Sequence, residues 1–223
     1  MKVVDLSKNN SLINCYMSQL RDANYQKNRT LFRQNLRRIG ELMAYELSKT
    51  LDYSVKDVHT PLGVKQVSTY DDRIVVGTVL RAGLALQEGF TNFFDGSDSA
   101  FVAAYREEGS KEELKIHLEY MASPHLDDCT FLLVDPMLAT GGSLELAYKA
   151  FLKAGAPRKL HICVVIAAEE GIANLQKAFP EDDVTLWTAA IDPVLNDAAY
   201  IVPGLGDAGD LSFGPKLSTK EQE

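Results

Sequence analysis

Three stretches of the sequence are apolar almost without interruption: "RIVVGTVL" (73–80), "TFLLVD" (130–135) and "KLHICVVIAA" (159–168). A strand with one wet face alternates apolar and polar residues. A short β-rich run that does not alternate must be covered on both faces, as in a parallel sheet between helical layers. "AFVAAYR" (100–106) and "VTLWTAA" (184–190) read as further strands bounded by turn residues. "KIHLEYMA" (115–122) instead alternates Ile116, Leu118 and Tyr120 with polar neighbours, the pattern of a half-exposed strand in an antiparallel hairpin.

Helical periodicity fills the intervals. In "RTLFRQNLRRIGELMAYELSKTL" (29–51), Leu31, Phe32, Leu36, Ile39, Met43, Leu47 and Leu51 recur at threes and fours. That stripe packs either on the core or on a second subunit. "GSLELAYKAFLKAGA" is expected to bury Leu146, Ala147, Ala150, Phe151 and Ala154 before Gly155 and Pro157 stop it, and "EEGIANLQKAFPE" presents Ile172, Leu175 and Phe179. Strands alternating with helices predict a doubly wound, mainly parallel α/β sheet with right-handed crossovers. No repeat, low-complexity tract or linker divides residues 1–223, so one domain is expected. Its parts are an N-terminal helical arm to about residue 52, a core over about 70–190 and a glycine-rich loop over about 191–217.

Ligands of such sheets gather at the carboxyl ends of strands, where the strand order reverses. "DPMLATGGS" (135–143) lies at one such end. The backbone N–H groups of Ala139, Thr140, Gly141, Gly142 and Ser143 introduce a helix and have no partners within it, so they can converge on an anion. The two glycines permit close approach, and Thr140 and Ser143 add hydroxyl donors. Asp135, a few residues earlier, can accept from two adjacent ribose hydroxyls. Together they describe a ribose 5-phosphate site. Gly-Gly-Ser alone fits an ordinary turn with Asp135 as a strand-end cap; the whole nonamer points to a site. No lysine follows the glycines and no G-x-G-x-x-G occurs, which disfavours a nucleoside triphosphate loop and a dinucleotide fold.

Arg81 in "LRAGL" and Arg106 in "AAYREEG" also follow strand ends, where guanidinium groups suit a diphosphate. Either alone fits a surface charge equally well. In "YIVPGLGDAGDLSFGPKL" (200–217), closely spaced glycines and a proline expose main chain to a flat ligand edge. Uracil offers acceptor, donor and acceptor in a row; cytosine would leave buried groups mispaired. Asp207 is placed to contact the pyrimidine or a ribose-bound metal. Viewed alone, this segment also fits a mobile surface loop.

The net charge of −8 argues against a broad nucleic-acid footprint. No apolar run approaches the roughly 18–20 residues of a spanning helix, and "MKVVDLSKNN" lacks the apolar core of a secretion signal. Cys15, Cys129 and Cys163 are too few and too scattered for a disulfide framework or zinc site, so a reducing cytoplasm is expected. Cys163, within "HICVVIAA", reads as a buried hydrophobe. His59, His117, His125 and His161 show no metal-ligand spacing, and no protein-built metal site is expected.

"LRAGL", "VDPMLATGGS" and "YIVPGLGDAGD", in that order along the chain, resemble the uracil phosphoribosyltransferases, a type I phosphoribosyltransferase family. The likeness runs from about residue 30 to the C-terminus. It implies a phosphoribosyltransferase-like sheet with a helical arm, a β-hairpin flap and a C-terminal hood loop over the base. It implies pyrimidine salvage: uracil and 5-phosphoribosyl diphosphate (PRPP) give UMP and diphosphate, with Mg2+ carried on PRPP. Arg81, Arg106, Asp135 and Asp207 would be catalytic. PRPP would also meet Pro136, Met137, Leu138, Ala139, Thr140, Gly141, Gly142 and Ser143. Main chain at Ile201, Gly206, Asp207 and Ala208 would bind uracil. The family further implies a homodimer or higher homo-oligomer and, in some members, activation by GTP.

Several residues depart from the family pattern. The hairpin "EEGSKEELKIHLEY" lacks a common Glu-Pro pair, Glu169 replaces a frequent proline, Ala198 replaces a frequent histidine, and "FGPKLSTKEQE" runs past the usual end. The charged tip after Arg106 is expected to be a solvated turn that closes over PRPP and excludes water. Two other functions fit the same fold: a phosphoribosyltransferase for another base, and a nucleotide-sensing regulator that binds without turnover.

Overall fold

The computed structural model describes residues 1–106, 116–180 and 183–216, with the side chains of 104–106 and 116–118 left aside. The tip of the hairpin and the last residues of the C-terminal extension lie outside the described residues, and with them the proposed closure over PRPP.

Seven strands form the main sheet, in the order β1 (Lys2–Asp5), β11 (Val184–Thr188), β9 (Lys159–Val164), β7 (Thr130–Val134), β4 (Ile74–Leu80), β5 (Asp98–Arg106) and β6 (Ile116–Ala122). All neighbours are parallel except β6, which runs antiparallel to β5 at the edge. The uninterrupted apolar runs occupy the centre, where β7 is buried at every position. The alternating run is the edge strand. From β4 the chain builds outward through β5 and β6, then returns to β7 on the other side, so the strand order reverses between β4 and β7.

Side chains pointing to opposite faces of each central strand enter two separate cores. Val76, Leu132, Val134 and Cys163 pack with α1 (Leu12–Arg21), α2 (Arg29–Ser48) and α3 (Leu84–Phe93). Val75, Phe131, Leu133 and Ile162 pack with α4 (Gly142–Phe151) and α5 (Glu169–Ala178). Each large apolar side chain buried this way contributes about 1.5–3 kcal/mol of transfer free energy. Helices on both faces of a parallel sheet are the doubly wound architecture the periodicity predicts.

The α2 stripe belongs to the core: Phe32, Leu36, Ile39, Met43 and Leu47 are fully buried within the chain, and Leu31 is half-buried. Asn28 caps this helix by accepting from Leu31 N–H at 3.1 Å. It ends at Ser48, before the expected residue 51, because Thr50 and Leu51 donate to Leu47 and Ser48 in tighter turns. In α4, Leu144 fills the core position expected of Leu146, which is half-buried.

The run 159–168 is two strands. β9 stops at Val164 and β10 (Ile166–Ala168) joins β8 (Met137–Leu138) and β12 (Ile191–Asp192) in a small second sheet. Pro136 marks the matching break after β7; its carbonyl accepts from both Val165 and Ile166 N–H at 3.0 Å. A hairpin of β2 (Tyr53–Thr60) and β3 (Gly63–Tyr70) projects from the body. β13 (Val194–Leu195) pairs with β14 (Ile201–Val202), and α6 (Ala208–Phe213) follows.

Candidate active site

The end of β7 and the turn after it carry the first group of expected residues. Asp135 is 9% exposed, and its Oδ1 accepts from Met137 N–H at 3.3 Å. Pro136 is buried, and Met137 and Leu138 form β8 rather than irregular turn. Pairing of β8 with β10 therefore fixes the approach to Ala139 and Thr140. Gly141 is the N-cap of α4 in the left-handed region, φ +92°, where a side chain would be strained. It has no side chain to bond the first-turn amides, which leaves them to water or an anion. Gly142 and Ser143 open the helix itself.

Helix α5 holds this corner from behind. Asn174 Nδ2 donates to Thr140 O at 3.1 Å. A Cβ at Gly171 would lie 2.2 Å from Ala139 O, so only glycine admits the loop there. Neither residue was a sequence candidate, since each looks like ordinary helix surface until the crossover places it.

Arg81 follows β4 after a cis Leu80–Arg81 peptide. Its guanidinium donates to Asp210 Oδ1 at 3.0 Å and Gly214 O at 3.3 Å. Both partners of this ion pair are more than a third exposed, so it is a weak contact that a more highly charged anion can replace. Arg106 is the last residue of β5, and its side chain lies outside the described ones. β4 and β7 are neighbours, so Arg81 and Asp135 leave adjacent strand ends at the point where strand order reverses.

The glycine-rich tail returns to the same place. Ile201 is buried in β14, a cis Val202–Pro203 bond follows, and Gly206 is exposed. Asp207 caps α6 by accepting from Asp210 N–H at 2.9 Å, and Ala208 is buried. A Cβ on Gly209 would lie 3.8 Å from Ala82 Cβ, so the start of α6 rests against the turn after β4. The structure thus brings together Arg81, the 135–143 turn and the 201–208 loop.

Among the described residues no three His, Cys, Asp or Glu groups cluster as a metal site. Asp135 and Asp207 nevertheless suit a substrate-carried Mg2+, which takes one or two carboxylates with phosphate oxygens and waters. Cys15, Cys129 and Cys163 are free. Burial pushes the Cys129 thiol up to about 11 and Cys163 higher still, the state of inert core residues.

A parallel sheet with a glycine corner at a helix start, a strand-end acid and an arginine at its switch point is laid out as a type I phosphoribosyltransferase. A family model described as uracil phosphoribosyltransferase matches residues 7–215. Curated uracil phosphoribosyltransferases resemble the chain closely. That of Porphyromonas gingivalis is 46% identical over 97% of this chain and 100% of its own. That of Thermococcus gammatolerans is 39% identical over 91% and 89%. A solved protein structure from Aquifex aeolicus superposes with a TM-score of 0.85 at 32% identity, covering 97% of this chain and 100% of that one. The chain belongs to the uracil phosphoribosyltransferase family.

Proposed function

We propose that the chain makes UMP and diphosphate from uracil and PRPP, in pyrimidine salvage. The observation that carries this reading is the meeting of three strand-end features: the uncapped α4 corner, Asp135, and a main-chain loop joined to Arg81 through Asp210 at 3.0 Å. In this reading the amides and hydroxyls of Ala139 to Ser143 bind the 5-phosphate, with Pro136, Met137 and Leu138 shaping the approach. Asp135 holds the ribose hydroxyls. Arg81 and Arg106 take the diphosphate. Main chain at Ile201 and Gly206 to Ala208 reads the uracil edge, and Asp207 faces the ribose.

The chemistry then follows from positioning. The C1–oxygen bond to diphosphate breaks as uracil N1 bonds to C1 and gives up its proton. Positive charge grows on the ring and negative charge on the leaving group. Arginines at strand ends stabilise the latter, Arg81 by exchanging its exposed contact with Asp210 for the diphosphate, and fixing both sugar and base in line removes much of the entropic cost. Mg2+ bound to PRPP oxygens would add charge neutralisation at the diphosphate.

The family and the free cysteines support work in a reducing cytoplasm; no helix among the described residues is long and apolar enough to cross a membrane. We read the chain as one domain whose arm, core and hood loop act together. A homodimer or higher assembly is supported by the β2–β3 hairpin, which exposes Val55, Val58, Leu62, Val64 and Val67. A lone hairpin is marginal in water, and this one carries valines on both faces. GTP activation is carried over from the family alone.

Incubating the protein with PRPP, Mg2+ and uracil should yield UMP and diphosphate. Turnover of hypoxanthine or guanine in place of uracil would point to the other-base enzyme. PRPP or nucleotide binding without diphosphate release would point to the regulator. Adding GTP to the same assay tests the effector.

A further inference from the structure

The reaction described above draws its substrate contacts from Arg81 onward and assigns none to the N-terminal arm, including its first 28 residues. Their side chains nevertheless converge on the loop assigned to the pyrimidine. Arg21, the last residue of α1, forks onto Asp192: Nη2 donates to Oδ1 at 2.6 Å and Nη1 to Oδ2 at 2.7 Å. Nη1 also donates to Gly204 O at 3.0 Å, and Gly204 N–H donates to Asp192 Oδ2 at 2.7 Å. The two halves of one ion pair thus hold Gly204 by its carbonyl and its amide. One residue further, Leu205 O accepts from Gln26 Nε2 at 2.7 Å, and the same amide group donates to Leu20 O at 2.6 Å.

The anchor under this clasp is firm. Leu20 is fully buried, and Asp192 is buried in β12 of the second sheet. Burial alone would raise the Asp192 carboxyl, but Arg21 and the Gly204 N–H outweigh it and hold it below the ordinary value, so the pair is charged at neutral pH. The planar fork is a demand that arginine meets and lysine does not.

The loop's other anchors are apolar and do not fix its main-chain polar groups: Ile201, Leu205 and Ala208 are buried in the core. β13 and β14 pair over two residues each, and Gly206 is exposed. A site that reads a base through main chain has no side chain to adjust, so its specificity depends on where the loop is held. Displacing such donors and acceptors by about 1 Å is enough to cost on the order of a hundredfold.

We propose that Arg21, assisted by Gln26, is a positioning residue for the pyrimidine, fixing Gly204 and Leu205 so that the neighbouring main chain meets the base in one register. This rests on the uracil phosphoribosyltransferase reading. The 139–143 corner shares the β8–β10–β12 sheet with Asp192 but has support of its own from α5, through Gly171 and Asn174, which contact neither Arg21 nor Gln26. A loosened clasp should therefore weaken uracil and spare PRPP.

Arg21→Gln and Arg21→Lys in the full chain test this with two readouts. Amide exchange of the substrate-free protein should speed up about tenfold or more at 201–207 in Arg21→Gln, with β7 and β9 unchanged. In steady state the uracil KM should rise about tenfold while the PRPP KM stays within about twofold, with Arg21→Lys falling between. Unchanged exchange at 201–207, or equal rises in both KM values, would overturn the proposal. If Arg21→Gln loses protection throughout and so fails to fold, Arg21→Lys decides by the same two measurements. A wild-type protein that makes no UMP yet loses loop protection in the variants would keep the clasp and remove its pyrimidine role, so the two failures are distinguishable.

Discussion

Lowering the pH should weaken the fold through one histidine, by an amount the structure sets. His161 is 5% exposed in β9, and its Nδ1 accepts from Trp187 Nε1–H at 3.1 Å, which places the neutral ring's proton on Nε2. Burial first, and Lys159 second, pull its pKa down to about 4 against the opposing pull of Asp72. In the unfolded chain the same group takes its proton near pH 6.5. Stability is therefore fully present above about pH 6.5 and falls by about 1.4 kcal/mol per unit below it, levelling off near pH 4 after a loss of roughly 3 kcal/mol. His161→Gln removes the titration and keeps a carbonyl acceptor for the indole. Trp187 is the sole tryptophan, so its fluorescence during urea unfolding follows this contact and the global transition together. Between pH 7 and pH 5 the wild type should lose about 2 kcal/mol more than the variant. Equal losses would refute the reasoning.

Asp135→Asn and Arg81→Ala should each lower UMP turnover by about 10²- to 10³-fold in a steady-state assay, the usual cost of removing one preorganised polar contact; near-normal activity would undo that assignment. Gly171→Ala drives a Cβ to 2.2 Å from Ala139 O and should raise the PRPP KM with the uracil KM unchanged, alongside a stability loss of about 1–3 kcal/mol in urea melts. Val64→Lys with Val58→Lys should charge both faces of the exposed hairpin and reduce the solution mass to that of a single chain by light scattering; an unchanged mass would place the subunit contact elsewhere.

The central sheet was legible because burial on both faces leaves a signal in the residues themselves. β4, β7 and β9 carry nearly continuous apolar runs, and β6 carries the alternation of an edge. The split between β9 and β10 was not legible, since it depends on Pro136 accepting from two amides of a distant strand. The glycine corner proposed for the phosphate could be picked out locally because glycines, hydroxyls and an acid lie within nine residues. Its support could not: Gly171 and Asn174 act through the packing of α5, which no local pattern records.

The clasp at Arg21 was missed for a similar reason, as its partners lie 171 and 183 residues away. Two weaker signals were present. Ser11 and Asn14 make a capping box ahead of Ile13, Met17 and Leu20, which announces α1. Asp192 is the acid that ends the mainly apolar stretch beginning at Val184, much as Asp135 ends the stretch before it.

The account stands or falls on where a nucleotide sits. A crystal structure with UMP bound should show its phosphate against the amides of 139–143 and its uracil against the main chain of 201–208. An empty corner, or a base lodged away from that loop, would contradict it.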